Sequence, residues 1–300
     1  MKKNSKNPRL FGIFGNPLAH TLSPAMQEAA FRQIGWKAHC LVFELGPRDF
    51  RKAMARLPRF PVEGFNLTVP YKQAVIPYLA ALTPEARAVG AVNTVFQKGG
   101  RWIGANTDVY GFLTSLQKEG KFKPRGKKIL VLGAGGASRA VIYGLASRGA
   151  RKIRIAARRK GRAAMIARDF RKVFPKIDFE ILEGPFEKLK PAFGDSDLVV
   201  NATSVGLKKK GPVLVPEKVI PGAGKKILFF DLIYDPFPTL FLKAAAKKGH
   251  RILGGLGMLL FQGGKAFEYW SGKKAPVEKM RQALEDGLKE RHSRSNDIIF

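Results

Sequence analysis

The chain has 300 residues, 45% of them hydrophobic, which is enough for one large domain or two ordinary ones. No apolar run approaches the ~20 residues of a membrane-spanning helix, and the basic start lacks the apolar segment of a secretory signal. The single cysteine, Cys40, excludes an internal disulfide and a thiolate-rich metal site, and we expect it to be buried in a protein of the reducing cytoplasm. The net charge of +31 suits an anionic ligand, but the basic residues are scattered and carry no nucleic-acid-binding motif.

Strand-like and helix-like stretches alternate along the chain, which predicts an α/β fold with parallel sheets. The first helix should have Ser23 as its N-cap and Pro24 in its first turn, and should stop at Gly35. Two strands should flank the turn at Gly99 and Gly100. The other predicted elements of this half are strands over 9–15, 39–45 and 62–69, and helices over 48–57 and 108–120.

A polar link over 118–128 precedes a second series of elements, so we expect two domains. One should comprise residues 1–107 with about 256–300, and the other residues 108–255. The second series predicts strands within 127–132, 152–159, 196–206, 225–236 and 250–255, and helices after the turn at 133–136 and over 161–174, 239–249, 258–270 and 276–292.

The stretch "LVLGAGGASRA" follows an apolar strand and opens a helix, which is the context of a dinucleotide-binding turn. Gly133 would permit the tight turn, and Gly135 would let the backbone approach a diphosphate at the helix N-terminus. Ser138 stands where the third glycine is usual, and it is small enough for close packing. The alternative is an ordinary strand-to-helix turn.

The strand after this turn bears on the choice between NAD and NADP. A carboxylate there would bind the ribose hydroxyl of NAD, but the strand ends in "IAARRKGR". Arg158, Arg159 and Arg162 could instead grip a 2′-phosphate, which favours NADP. The alternative is that these arginines are solvated charges in a very basic protein.

The stretch "FNLTVPYK" places Lys72 two residues after Pro70, which cannot continue a central strand. The lysine is either a solvated surface charge or a catalytic amine at the carboxyl end of a strand, where α/β sheets bind ligands. A positioned ammonium can stabilise a developing alkoxide and supply its proton.

Eight motifs, in order between about Leu10 and about Trp270, resemble those of the shikimate dehydrogenase family. They are "GNPLAHTLSPAMQEAAF", "FNLTVPYK", "GAVNTV", "GANTDVYGF", "LVLGAGGASRA", "NATSVG", "DLIYDP" and "GGLGMLLFQG". The resemblance implies an N-terminal α/β substrate domain, a Rossmann-type NADP-binding domain and an active site in the cleft between them. It implies NADPH-dependent reduction of 3-dehydroshikimate to shikimate, on the route to chorismate and the aromatic amino acids.

The resemblance also implies roles for individual residues. Lys72 and Asp108 match the catalytic lysine and aspartate. Thr21 and Ser23 match two hydroxyls that hold the substrate carboxylate, and Tyr234 matches a tyrosine near it. Further substrate contacts are matched by Asn66, Thr68, Asn93 and Gln262.

For the cofactor, the resemblance implies contacts along the glycine-rich turn and with the arginines after the next strand. As an alternative, Met258 could pack the interface between the two domains together with Leu259 and Leu260. His20 is expected to make a structural hydrogen bond. The cofactor-binding residues implied are Gly133, Ala134, Gly135, Gly136, Ala137, Arg158, Arg159, Arg162, Thr203, Gly255 and Met258.

Two positions depart from the family pattern. Thr21 replaces a usual serine, so an added methyl narrows the carboxylate end, and Ala157 replaces a common asparagine before Arg158. Three alternatives stay open: a quinate/shikimate dehydrogenase using NAD, a non-catalytic dinucleotide sensor, and a nucleic-acid binder suggested only by charge. We expect a monomer or homodimer without metal, nucleic-acid or membrane partners.

Overall fold

The computed structural model describes residues 7–19, 21–183, 185–207, 211–222 and 224–296, so His20 lies outside the described residues. The chain divides into two compact units. Unit 1 comprises Met1–Thr107 with Leu260–Phe300, and unit 2 comprises Asp108–Leu259. Among the described residues, no helix combines the length and apolar character needed to cross a membrane.

The elements of both units are numbered here in chain order. The strands are β1 (Arg9–Gly15), β2 (Ala38–Glu44), β3 (Gly64–Leu67), β4 (Ala81–Leu82), β5 (Thr94–Lys98), β6 (Arg101–Ala105), β7 (Lys128–Leu132), β8 (Lys152–Ala156), β9 (Asp178–Leu182), β10 (Leu198–Asn201), β11 (Leu228–Asp231) and β12 (Arg251–Leu253). The α-helices are α1 (Ser23–Gln33), α2 (Pro47–Ala55), α3 (Pro84–Val89), α4 (Asp108–Lys118), α5 (Gly136–Ser147), α6 (Lys160–Val173), α7 (Lys190–Gly194), α8 (Leu240–Lys247), α9 (Leu256–Ser271) and α10 (Val277–Asn296). Short 3₁₀ helices cover Leu57–Arg59, Ile76–Tyr78, Phe186–Leu189 and Glu217–Val219.

Unit 1 contains a six-stranded sheet in the order β2-β1-β3-β5-β6-β4. Strand β1 is parallel to β2 and β3, as the sequence predicts, but β5 runs antiparallel to both β3 and β6. The physical reason is the turn at Gly99 and Gly100, where φ angles of +57° and +73° return the chain at once into β6. The sheet is therefore mixed, and the two predicted strands around this turn are confirmed.

Helix α1 begins differently from the prediction. Leu22 occupies the N-cap position, so the prediction of Ser23 as N-cap is wrong. The backbone N–H of Ser23 instead donates to Thr21 Oγ1 at 3.3 Å, because the threonine two residues earlier already supplies an oxygen to the helix start. Pro24 lies in the first turn as predicted, and Gly35, with a φ of +74°, follows the helix end.

Unit 2 contains six parallel strands in the order β12-β11-β10-β7-β8-β9. Starting from β7, the chain adds strands outward on one side and then on the other, which is the Rossmann order. Apolar side chains from α4, α5 and α6 cover one face of the sheet, and those from α7 and α8 cover the other. The polar link over 118–128 lies inside this unit, since unit 2 already begins at Asp108. Helices α4 and α5 pack closely, because a Cβ at Gly144 would lie 3.3 Å from Leu113 Cγ.

A cluster of ion pairs surrounds Arg154, which is only 9% exposed in the middle of β8. Its guanidinium donates to Glu180 Oε2 at 2.9 Å and to Asp195 Oδ2 at 2.6 Å. The ammonium of Lys128 donates to the other oxygen of Asp195, also at 2.6 Å. Hydrogen bonds from Lys128 and then Arg154 lower the pKa of Asp195 to about 2.

We expect Asp195→Asn to lower the free energy of unfolding at pH 7 by up to about 1 kcal/mol: Arg154 stays buried with a weaker acceptor, but the Asp195 side chain is 41% exposed and water screens its ion pairs. The folded-state pKa is depressed, so the stabilisation is complete above about pH 4 and disappears as the pH falls towards about 2. Thermal unfolding measured from pH 7 to pH 2 should show that the melting temperatures of the wild type and of Asp195→Asn converge at low pH. Asp49→Asn, which removes an exposed pair with Lys52, is the control; an equal effect of both variants would contradict the expectation.

Candidate active site

Asn93, which precedes β5 in unit 1, is the centre of a buried polar cluster and is 2% exposed. Its Oδ1 accepts from the backbone N–H of Thr107 at 2.6 Å, and its Nδ2 donates to Thr107 Oγ1 at 2.9 Å and to Gln262 Oε1 at 3.2 Å. Its backbone oxygen accepts from Asn66 Nδ2 at 3.0 Å, and Asn66 also donates to Thr94 Oγ1 at 3.0 Å. The structure therefore brings Asn66, Asn93 and Gln262 together, although they are far apart in sequence.

The chain around Lys72 is tied to the same cluster through its backbone. The carbonyl oxygen of Lys72 accepts from the N–H of Val92, the residue before Asn93, at 2.7 Å. Tyr71 stacks on Phe50 with ring centroids 3.9 Å apart, and its hydroxyl donates to the carbonyl of Leu45. The hydrogen bond with Val92 fixes the backbone of Lys72, and its side chain is partly accessible because the residue is only half-buried.

Thr68 follows β3 and lies close to the end of β1. Its backbone N–H donates to the carbonyl of Phe14 at 2.9 Å. A side chain at Gly15 would meet Thr68 Cγ2 at 2.3 Å, so glycine is required for this approach. Thr68 and Lys72 therefore lie on the segment that leaves the carboxyl end of β3, and Asn66 lies within that strand, next to its last residue.

Thr21 and Ser23 lie together at the start of α1, where Ser23 is 6% exposed and Thr21 is half-buried. One turn later on the same helix face, Gln27 is fully buried and donates from Nε2 to the carbonyl of Gly263 at 3.0 Å. Since Gly263 follows Gln262, this bond connects α1, which begins at Ser23, with the cluster around Asn93. Gln27, Thr94 and Thr107 were not predicted as site residues, although all three belong to the quoted motifs.

Asp108 is the first residue of α4 and is 4% exposed. It directly follows Thr107, whose N–H and hydroxyl are both held by Asn93. The chain therefore enters α4 from a fixed point, and the acidic residue at this helix start is favourable to the helix dipole.

In unit 2, every residue that the sequence assigns to the cofactor follows the carboxyl end of a strand. Because the strands are parallel, these ends share one edge of the sheet, where ligands of α/β folds bind. The positions are the turn from Gly133 after β7, Arg158 and Arg159 with Arg162 after β8, Thr203 after β10, and Gly255 with Met258 after β12. Tyr234, which the sequence assigns to the substrate, follows β11 at the same edge.

The glycine-rich turn has the geometry that a dinucleotide requires. Gly133 has a φ of +114°, and an added Cβ would lie 2.9 Å from the carbonyl oxygen of Ala202. Gly135 has open space where a Cβ would be, so a ligand can approach its backbone. Ser138 is fully buried and its Oγ accepts from the N–H of Gly135 at 3.1 Å, which fixes the turn where the third glycine is usual. Ala134, Gly136 and Ala137 are half-buried along the same turn.

The arginines after β8 are adjacent to this turn. The N–H of Gly133 donates to the carbonyl of Ala156 at 2.7 Å, and Arg158 is two residues further on. Arg158, Arg159 and Arg162 are exposed, and none forms an ion pair with a carboxylate in the described part of the chain. This donor set suits a phosphate group better than a ribose diol.

The loops after β10, β11 and β12 are held by internal hydrogen bonds. Thr203 Oγ1 donates to Asn201 Oδ1 at 2.7 Å and accepts from the N–H of Val205 at 3.1 Å, so this hydroxyl is already engaged within its own loop. A Cβ at Gly255 would lie 2.0 Å from the carbonyl oxygen of Leu232, so no side chain fits there. Met258 is 7% exposed and belongs to the apolar core of unit 2.

Two titratable groups are perturbed by burial. Burial raises the pKa of Asp231, at the end of β11, to about 6. Burial raises the pKa of the Cys40 thiol to about 12, so this cysteine is unreactive in unit 1. The described residues contain no group of three or more histidine, cysteine or acidic side chains that could hold a metal ion.

Three family models match the chain. The shikimate dehydrogenase substrate binding domain matches residues 13–95, the shikimate/quinate 5-dehydrogenase model matches residues 116–233, and the shikimate 5′-dehydrogenase C-terminal domain matches residues 255–285.

Similar proteins span nearly the whole chain. The NADP(+) shikimate dehydrogenase of Symbiobacterium thermophilum is 38% identical over 285 residues, which are 94% of this chain and 96% of that protein. The crystal structure of shikimate dehydrogenase from Aquifex aeolicus is 38% identical, covers 94% of this chain and 98% of its own, and has a TM-score of 0.82. The shikimate 5-dehydrogenase of Thermus thermophilus, solved in complex with NADP(H) and shikimate, is 34% identical, covers 93% and 99%, and has a TM-score of 0.79. On this identity and coverage, the chain belongs to the shikimate dehydrogenase family.

Proposed function

We propose that this enzyme catalyses the reversible, NADPH-dependent reduction of 3-dehydroshikimate to shikimate. The observation that carries the proposal is the Asn93 cluster, which joins Asn66 and Gln262 and fixes the backbone of Lys72 in a chain of this family. Relatives at this level of identity are named as NADP(+) shikimate dehydrogenases. Oxidation of shikimate and quinate by the purified protein, each with NADP and with NAD, tests it; no turnover of shikimate with NADP would overturn it.

NADPH, when bound, supplies a hydride for the substrate carbonyl carbon. In our proposal, the ammonium of Lys72 stabilises the negative charge that develops on the carbonyl oxygen and gives that oxygen its proton. The carboxylate of Asp108 orients the lysine and accepts a hydrogen bond from a ring hydroxyl. In the reverse direction Lys72 receives the proton.

The substrate would be held by neutral groups. The hydroxyls of Thr21 and Ser23, beside the N-terminus of α1, bind its carboxylate, and Tyr234 lies near that group. Thr68 and the amides of Asn66, Asn93 and Gln262 bind the ring and its hydroxyls. The hydrogen bonds within the Asn93 cluster orient these amides before substrate binds, which reduces the entropy lost on binding.

The cofactor residues fit NADP. The turn at Gly133 and Gly135 accommodates the diphosphate, and Arg158, Arg159 and Arg162 are available for the 2′-phosphate. Asn201 holds both the hydroxyl and the backbone N–H of Thr203, which leaves the Thr203 carbonyl as its part available to the cofactor. Gly255 lacks a side chain and so packs directly against the carbonyl of Leu232.

We also propose a cytoplasmic location and a monomeric or homodimeric state. A single, deeply buried and unreactive cysteine suits a reducing compartment. Light scattering of the purified protein would determine its oligomeric state.

Lys72→Met should preserve the fold and reduce kcat by roughly 10²–10⁴, the contribution of a general acid. The backbone contact of Lys72 with Val92 does not depend on the side chain, so thermal stability should change little. Steady-state kinetics and thermal unfolding measure both effects. Lys98→Met, an exposed lysine on β5, is the matched control and should be fully active; more than about a third of normal turnover in Lys72→Met would remove this lysine from the mechanism.

Replacing Arg158 and Arg162 together by alanine should weaken NADP binding by roughly tenfold or more, because each charge-assisted hydrogen bond contributes about 1.5–3 kcal/mol. NAD binding should change much less, since NAD lacks the 2′-phosphate. Titration of the double variant with each cofactor gives the comparison. Arg168→Ala, which changes an exposed arginine further along α6, controls for the general positive field, and equal losses for both cofactors would contradict the assignment.

The wild-type enzyme should use shikimate much better than quinate, and Thr21→Ser should reduce this preference without abolishing activity. Quinate has an extra hydroxyl on the carbon that carries its carboxylate, and the stiff methyl of Thr21 takes that space. One methyl supports only ~1–3 kcal/mol of discrimination, so the change in the ratio of kcat/KM values should be modest. Thr83→Ser, at the N-cap of α3, is the matched control. Efficient oxidation of quinate by the unchanged enzyme would refute the steric argument.

A further inference from the structure

A buried carboxyl group lies at the end of β11 in unit 2 and has no role in the proposed reaction. Asp231 is fully buried and accepts three hydrogen bonds. Its Oδ1 accepts from Asn201 Nδ2 at 3.0 Å and from the backbone N–H of Ile233 at 3.1 Å, while its Oδ2 accepts from Thr239 Oγ1 at 2.8 Å. The donors come from the end of β10, from the loop after β11 and from the start of α8.

Through Asn201 and Ile233, Asp231 is linked indirectly to three loop positions assigned to ligand binding, which are Thr203, Tyr234 and Gly255. Asn201 uses its Oδ1 to hold both the N–H and the hydroxyl of Thr203, at 3.0 and 2.7 Å. Ile233 precedes Tyr234, and its carbonyl accepts from the N–H of Gly255 at 3.1 Å. The loops after β10, β11 and β12 are therefore joined at one buried group.

We propose that Asp231 is a positioning residue for the cofactor: by holding Asn201 and Ile233 it sets the geometry of the loops that carry Thr203 and Gly255. The inference rests on the proposed function, because that function assigns these loops to NADP. Asp231 itself is buried and contacts no ligand in this account.

The three donors explain why an acid is needed at this position. A leucine would fill similar space but leave an amide, a backbone N–H and a hydroxyl without their acceptor. An asparagine would keep one oxygen for Asn201 and Ile233, and its amide N–H could donate to Thr239 Oγ1 in place of the accepted bond. Leucine should therefore disturb the loops strongly, and asparagine moderately.

The protonation state of Asp231 gives a second, independent measurement. Burial raises its pKa to about 6, and the groups that hydrogen-bond to it are an amide, a backbone N–H and a hydroxyl, all uncharged. Above about pH 6 the carboxylate accepts all three bonds, and below it the neutral acid resembles asparagine. The difference between wild type and Asp231→Asn should thus be present at pH 7.5 and nearly vanish at pH 5. Protonation of the cofactor phosphate changes the NADPH affinity of the wild type and of Asp231→Asn equally, so it cancels in the ratio of their dissociation constants.

The experiment measures NADPH dissociation constants by fluorescence titration of the full-length wild type, Asp231→Asn and Asp231→Leu at pH 7.5 and pH 5. We expect weaker binding by roughly tenfold or more for Asp231→Leu and by a few-fold for Asp231→Asn, the latter only at pH 7.5. Phe193→Leu, a core change in α7, controls for lost stability, since it should lower the melting temperature without changing NADPH affinity.

Two outcomes would overturn the inference. One is an Asp231→Leu protein that melts lower but binds NADPH within about twofold of wild type. The other, decisive if that variant does not fold, is an Asp231→Asn protein whose affinity relative to wild type is the same at both pH values. Thr239→Val and Thr239→Ser extend the test. Thr239→Ser keeps the hydroxyl that donates to Asp231 and should bind NADPH normally, whereas Thr239→Val lacks it and should bind NADPH more weakly. Because binding is measured directly, a wild type that binds NADPH but does not oxidise shikimate would refute the proposed function and leave this inference tested.

Discussion

A buried polar side chain must find hydrogen-bond partners inside the protein, and this requirement organises the ligand-binding end of each unit. In unit 1 the side chain is that of Asn93, whose amide and backbone hold neighbours from β3, from the loop after β6 and from α9. In unit 2 it is that of Asp231, which holds the loops after β10 and β11. The loops that carry function are fixed because these two groups allow few other arrangements.

Hydrogen-bonded amides are well suited to a ring that carries several hydroxyls. An amide bound within a cluster has its donor and acceptor ends determined, so it can distinguish a hydroxyl in one position from the same hydroxyl elsewhere. Asn66 and Gln262 each give one end of the amide to the cluster. The orientation of the remaining end is therefore set by residues that need not touch the substrate, such as Thr94 and Thr107.

The sequence was most informative where local chemistry and fold agree. The apolar strands and Gly-rich turn of unit 2 predict the Rossmann half, and Arg158, Arg159 and Arg162 lie after β8. The short β4 and the edge strand β9 were not predicted, because "AL" and "DFEIL" offer too few apolar residues for a pattern. The antiparallel pairing of β5 with β3 could not be predicted, because these two strands are far apart in the sequence. Asp231 could not be recognised either, since an acid at a strand end looks like an ordinary turn residue until its burial is known.

The charge of the protein adds a final constraint on how specificity arises. With 54 lysines and arginines and 23 acidic residues, 31 basic side chains cannot each have their own carboxylate. An unpaired arginine is therefore ordinary in this chain, and lack of a partner alone would not identify a phosphate site. What distinguishes Arg158 is its place two residues beyond a strand whose last carbonyl is bonded to Gly133. The general field attracts anionic ligands and weakens with salt, whereas in the proposed NADP site the end of β8 would select among them. On that proposal, affinity for a 2′-phosphate depends on the fold more than on the net charge.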